Sequence, residues 1–248
     1  MQSVHSAPLP EAWPPVTVLI VTYNRAHTIR RVIQRYELYL KYVGPLLWRL
    51  ADDGSPPGYV EELQKEYRRL DFQATVTDRG GFGANLNNGL REAFKLSPYV
   101  LLTEDDWATL DIVDVTRGVW LMESIPEIGL VRYDEAGIDC TYHAAVLKHP
   151  TLTRKDAWTR YFVIDRSSRY IYPGGHPQLV HQRYYKRYGF YKEGGEIASV
   201  ERHFSGVLKN QAGPQVVVMA DYVGISKFRH TAKTWKGTAE GDPNFGIR

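Results

Sequence analysis

Three carboxylates stand side by side at Glu104-Asp105-Asp106, directly after the apolar run Val100-Leu101-Leu102. Adjacent carboxylates repel one another and are costly to strip of water. A hard divalent cation with oxygen ligands relieves that repulsion. In an open α/β sheet, ligands sit at the carboxyl ends of the strands. The stretch Val100–Trp107 therefore predicts a strand end that holds a metal and, through it, a phosphate. The plain alternative is a solvated acidic turn.

The elements that must position these acids are readable in order. Val16–Thr22 (VTVLIVT) is a continuous, largely β-branched run, which predicts a strand buried on both faces. Tyr23-Asn24-Arg25 predicts a turn, and the apolar spacing in 28–42 predicts a helix. Leu46–Ala51 predicts a second strand that ends in Asp52-Asp53-Gly54-Ser55. An amphipathic helix over 60–70, a strand over 72–77, a Gly-rich loop over 78–83 and a helix over 84–95 follow. Ser97-Pro98 breaks that helix and favours a strand for the run that reaches the acids. Strand and helix alternate, which predicts a parallel sheet with right-handed crossovers.

Beyond Asp106 the periodicity loosens. A helix is expected over 112–124, strands over 128–133, 161–164, 169–171 and 216–220, and a loop over 173–177. The basic, aromatic segment 178–189 is expected as a helix ended by Gly189, and 196–208 as another. No linker is evident. The expectation is a single domain over 1–248: a ligand-binding half at 16–110, a second half at 111–222 and a basic loop or tail at 223–248.

Bulk properties narrow the class. The chain has 248 residues, 43% hydrophobic, enough for a sizeable core. A net charge of +3 suits anionic ligands but is not the footprint of an obligate nucleic-acid binder. The single cysteine, Cys140, excludes an intrachain disulfide framework. No run reaches the length of a membrane span, and the Pro-rich start lacks the features of a signal peptide. The expected location is cytoplasmic, soluble or peripheral.

Four segments, taken together and in order, resemble family 2 glycosyltransferases of the GT-A fold: VTVLIVTYNR (16–25), LADDGS (50–55), TDRGGFGANLNNG (77–89) and LLTEDD (101–106). The resemblance implies a mostly parallel, nucleotide-binding-like α/β sheet flanked by helices, with a smaller acceptor-side lobe. It implies an inverting transfer of a sugar from a nucleoside-diphosphate sugar, UDP before GDP, to a hydroxyl acceptor, with Mn²⁺ or Mg²⁺ as cofactor.

Residue by residue, the resemblance assigns Asp52 and Asp53 to the nucleoside, and Thr22 and Asn24 to the donor site. Arg79, Gly80, Gly81, Gly83 and Asn85 would lie beside the nucleotide, with the glycines allowing close backbone approach. Asn88 reads as a helix residue. The family's metal motif is Asp-x-Asp, and here Glu104 stands in its first position. Asp106 is the expected metal ligand, with Glu104 and Asp105 acting through water or ribose. His230, among basic neighbours Arg229, Lys233 and Lys236, would complete the metal shell or touch the diphosphate.

An inverting transfer also needs a base to take the acceptor's proton. Glu201 is the expected base and Glu196 the second choice, with Glu193 also in range; Arg202 stands where the family carries an acid. The cluster YYKRYGFY (184–191) offers aromatic faces for sugars or bases, or simply core. Other readings stay open. They are a sugar nucleotidyltransferase, a non-catalytic nucleotide-sugar or nucleic-acid binding module, and a transferase acting on DNA bases. Sugar, acceptor and stereochemical outcome are not fixed by sequence.

Overall fold

The computed structural model describes residues 3–6, 9–133, 142–148, 158–164, 177–219 and 228–230. The first half runs β1 (Ser3–Ser6), β2 (Val16–Thr22), α1 (Ala26–Tyr39), β3 (Leu40–Lys41), β4 (Leu46–Asp52), α2 (Tyr59–Glu66), β5 (Gln73–Val76) and α3 (Phe82–Leu96). It continues through β6 (Tyr99–Glu104), β7 (Trp107–Thr109), β8 (Val113–Asp114), α4 (Val115–Ser124) and β9 (Ile128–Arg132). The second half adds β10 (Tyr142–Lys148), β11 (Trp158–Ile164), β12 (Gln178–His181), α5 (Gln182–Tyr188), α6 (Ile197–Asn210), β13 (Gln215–Met219) and β14 (Phe228–His230).

One sheet joins both halves, in the order β1-β10-β11-β13-β9-β12-β6-β2-β4-β5. β2 lies between β4 and β6, parallel to both, and β5 extends the parallel set. The apolar run of β2 has a direct physical reading. Val16, Val18 and Ile20 face one core with Ile29, Val32, Ile33 and Tyr36 of α1. Leu19 and Val21 face the other, with Leu86, Leu90 and Ala93 of α3. Successive side chains leave opposite faces of a strand, so a strand covered on both sides must be apolar at every position. Each such side chain contributes about 1.5–3 kcal/mol on burial. β6 alternates in the same way, Tyr99 and Leu101 on one side, Val100 and Leu102 on the other.

Several expectations are corrected. The segment 178–189 is not one helix. Gln178–His181 is a strand, antiparallel to β6 and to β9, and only Gln182–Tyr188 is helical. Neighbours on both sides supply the strand's hydrogen bonds and bury Leu179 and Val180, which local spacing does not reveal. Gly189 ends the helix as expected, at φ 80°. The 60–70 helix stops at Glu66 and continues as a 3₁₀ turn, Arg68–Leu70. The helix expected from 112 starts at Val115, capped by Asp114, which accepts from Arg117 N. β1, parallel to β10, was not expected. Positions 169–171 and 173–176, and most of 223–248, lie outside the described residues. Among the described residues no helix is long and apolar enough to cross a membrane.

His181 gives the fold an acid sensitivity. It caps α5, its Nδ1 accepting from Arg183 N at 3.1 Å, and its ring meets Tyr99 edge-on with centroids 4.7 Å apart. Burial, then the charges of Arg183 and Lys186, lower its pKa to about 4. The unfolded chain, with its histidine near 6.5, therefore binds more protons between those values. The stability is whole above the unfolded pKa and drains away as pH falls toward 4. Because His181 is partly exposed, the loss is discounted to about 1–2 kcal/mol. His181→Asn keeps a cap acceptor without the charge. Its melting temperature should fall about 2–6 °C less than wild type between pH 7 and pH 4.5. Parallel melting curves for the two proteins across that range would exclude His181 as the source.

Candidate functional site

The parallel strands β2 and β6 end side by side, with Val21 opposite Glu104. The chain turns after Glu104, held by Asp105 N donating to Val21 O at 3.0 Å. The Asp105 carboxylate then accepts from Thr22 Oγ1 at 2.8 Å and Tyr23 N at 3.3 Å. Tyr59 shares a 2.6 Å hydrogen bond with the same Thr22 hydroxyl. Arg25 completes the knot. Its Nη1 donates to Asp105 Oδ1 at 3.0 Å and to Asp106 Oδ2 at 2.5 Å. Both acids are buried, at 3% and 2% exposure.

Electrostatics follow from that packing. Burial pushes the Asp105 carboxyl up to about 6; the Arg25 charge opposes this and Asp106 adds to it. Glu104, part-exposed at the strand end, is raised well above the usual carboxylate range. Lost hydration dominates, followed by the charges of Asp106, Asp105 and Glu201. The last contribution puts Glu201 of α6 within electrostatic reach of Glu104. Glu201 is itself raised by burial, with the Arg132 charge opposing. Arg132, buried at the end of β9, sits opposite Gln178 of β12 and Val218 of β13.

Other expected residues are engaged in holding loops. Asp52 is 1% exposed and accepts from Ser55 N at 2.8 Å and from the Ser55 hydroxyl. It closes its own turn. Asp53 remains at the rim, where it accepts from Thr77 Oγ1 at 2.9 Å and from Gly81 N at 3.1 Å. Gly81, at φ 81°, leads into α3. Asn85 donates to Ala51 O at 3.0 Å and Thr22 O at 3.4 Å, which ties the ends of β2 and β4. Asn24, at φ 48°, donates its N–H to Ser55 Oγ. Arg79 is exposed and lies over the Tyr23 ring, 4.9 Å from its centroid, with Gly80 exposed beside it.

The space beside Gly83 is filled by the chain itself. A Cβ there would sit 2.2 Å from Lys192 O, so its close approach is to the chain's own backbone. That contact belongs to a clamp the sequence reading missed. Asn87 donates to Tyr191 O and accepts from Tyr191 N, both at 2.9 Å, and donates to Glu193 at 3.0 Å. The loop entering α6 is thereby pinned to α3. Glu193 is exposed and held there, away from the role of base. Glu196 is exposed at the start of α6. Asn88 accepts from Arg91 on the helix surface, as expected. Tyr184, Tyr185, Tyr188 and Tyr191 are core, not a sugar platform. The backbone of His230 pairs with Trp107, one residue past Asp106. Lys233 and Lys236 lie outside the described residues.

Residues 17–111 match the family model described as glycosyl transferase family 2. This stretch is similar to family 2 glycosyltransferases. No curated protein matches the chain by sequence. Solved glycosyltransferase structures match its fold. S. aureus TarS 1–349 in complex with UDP-GlcNAc gives a TM-score of 0.61 at 14% identity, over 92% of this chain and 61% of that one. The mannosyltransferase PcManGT from Pyrobaculum calidifontis, in complex with GDP-Man and Mn²⁺, gives 0.55 at 19% identity, over 86% and 58%. GalNAc-T7 with UDP, GalNAc and Mn²⁺ gives 0.59 at 13% identity, over 85% and 43%. The chain thus spans less than two thirds of each of these proteins, and at such identities the likeness establishes the GT-A fold. The family 2 segment holds β2 through the acid triplet; α6 and Glu201 lie beyond it.

Two of these structures contain Mn²⁺. Among the described residues the donor set, as arranged, does not fit a divalent ion. Among the described residues no group of three or more His, Cys, Asp and Glu side chains is disposed to hold one. Asp105 has both oxygens engaged by protein donors, and Arg25 bridges Asp105 to Asp106.

Proposed function

We propose that this chain is an inverting glycosyltransferase that moves a sugar from a nucleoside-diphosphate sugar, UDP favoured, to a hydroxyl acceptor. The observation that carries this reading is the acid triplet at the end of β6, at the rim of a sheet whose first half matches the family 2 model, with Glu201 of α6 within electrostatic reach of Glu104. The UDP preference draws on TarS and GalNAc-T7, whose complexes contain UDP-GlcNAc and UDP. The whole chain works as one unit in this reading. Residues 16–110 hold the donor, 111–222 bring the acceptor and the base, and 223–248 flank the donor site.

The steps use the chain's own groups. Glu201 accepts the proton of the acceptor hydroxyl as that oxygen bonds to the anomeric carbon. The bond from that carbon to the diphosphate oxygen breaks on the opposite side, and the diphosphate leaves with the electron pair. A base raised by burial is better matched to neutral pH than an ordinary glutamate. Arg79 and the first amides of α3 stand at the rim where the diphosphate would lie.

A thermal-shift screen of UDP, GDP, CDP and dTDP, each with and without Mn²⁺, tests the donor site. A ligand at about 100 times its Kd adds about 2.7 kcal/mol to the folded state. At least one diphosphate, UDP foremost, should raise the melting temperature by several degrees. No shift with any of the four would remove the reading.

A further inference from the structure

Arg25 reaches from the turn after β2 to the turn after β6 and places one nitrogen between two carboxylates, 3.0 Å from Asp105 and 2.5 Å from Asp106. The side chains of the acids are only 4% and 3% exposed, whereas that of Arg25 is 30% exposed. The guanidinium therefore covers the acid pair from the solvent side. A hard dication would need the same oxygens as ligands, at about 2.0–2.6 Å. It could not share them with a second cation at hydrogen-bond distance without strong repulsion. We infer that Arg25 is the resident cation of the acid motif, and that a divalent metal binds there only by displacing it. Arg25 thus sets how much divalent metal the site demands. Charge-assisted pairing to two carboxylates makes the guanidinium a strong competitor, and its partial exposure gives it somewhere to go.

The inference deepens the transferase reading and rests on it only for the placement of the donor beside these acids. Its test uses the full chain and Mn²⁺ alone, without nucleotide, so it can fail while the nucleotide screen succeeds, or the reverse. Free Mn²⁺ is followed by electron paramagnetic resonance in wild type, Arg25→Gln and the double variant Arg25→Gln/Asp106→Asn. Arg25→Gln should bind Mn²⁺ at least about tenfold more tightly than wild type, and the double variant should lose that gain. Equal affinity in wild type and Arg25→Gln overturns the inference. So does a gain that survives in the double variant, because the metal then sits elsewhere. Arg25→Lys serves if the Gln variant does not fold. A lone ammonium lacks the planar fork that bridges two carboxylates, so Mn²⁺ should bind at least about threefold more tightly than in wild type. Unchanged affinity there has the same overturning force.

Discussion

Glu201→Gln should lower sugar transfer by about 10²–10⁴-fold while the nucleotide-sugar Kd stays within about threefold of wild type. The change conserves volume and hydrogen-bonding capacity and removes only the basic oxygen. Glu201 sits on α6, whose entry loop is fixed by the Asn87 clamp, so its position does not depend on its own charge. Its carboxylate also adds to the repulsion at Glu104, so the variant should melt no lower than wild type. Stopped-time transfer assays and donor binding by calorimetry read the two halves of the expectation separately. Glu196→Gln is the matched comparison. Glu196 is exposed at the N-cap of α6, where its side chain makes no capping hydrogen bond, and its loss should change the rate by no more than about twofold. Full activity in Glu201→Gln with a collapse in Glu196→Gln would move the base to the helix start.

Much of the donor half is legible because its determinants are local. A strand covered on both faces must be apolar throughout, so VTVLIVT and YVLL announce themselves, and the acids announce where the second of them stops. What escapes is set by partners far away in sequence. Arg25 reads as one residue of a turn, yet its partners lie 80 and 81 positions on. Asp52 and Asp53 are adjacent and chemically identical, and only the fold assigns one to Ser55 and the other to Thr77 and Gly81. The tyrosines of 184–191 have the composition of a sugar platform, but packing against Phe204 and Val200 makes them core. Asn87 carried a visible signal, an amide inside the apolar face of a helix, which is where a side chain that grips another segment's backbone would be expected. Gln178–His181 carried none, since a strand of four residues exists only through β6 and β9.

Asp106→Asn should lower transfer by about 10²–10³-fold or more and leave the melting temperature unchanged or about 2–4 °C higher. Two physical facts set the opposite signs. Asp106 is buried beside Asp105 and contributes to the raised pKa of Glu104, so its negative charge strains the rim it occupies. Removing that charge does not orphan Arg25, which keeps Asp105 at 3.0 Å. The usual penalty for breaking a buried pair, an uncompensated charge, is therefore avoided. The acid pair is nonetheless what a dication would need in order to displace Arg25 at this rim, and one carboxylate is too few ligands to hold it. Stability gained as activity is lost marks charge kept for function at a cost to the fold. Differential scanning calorimetry beside a transfer assay reads both signs from one preparation. A variant that loses several degrees along with its activity would mean instead that Asp106 holds the turn together, and the acid motif would revert to a structural element.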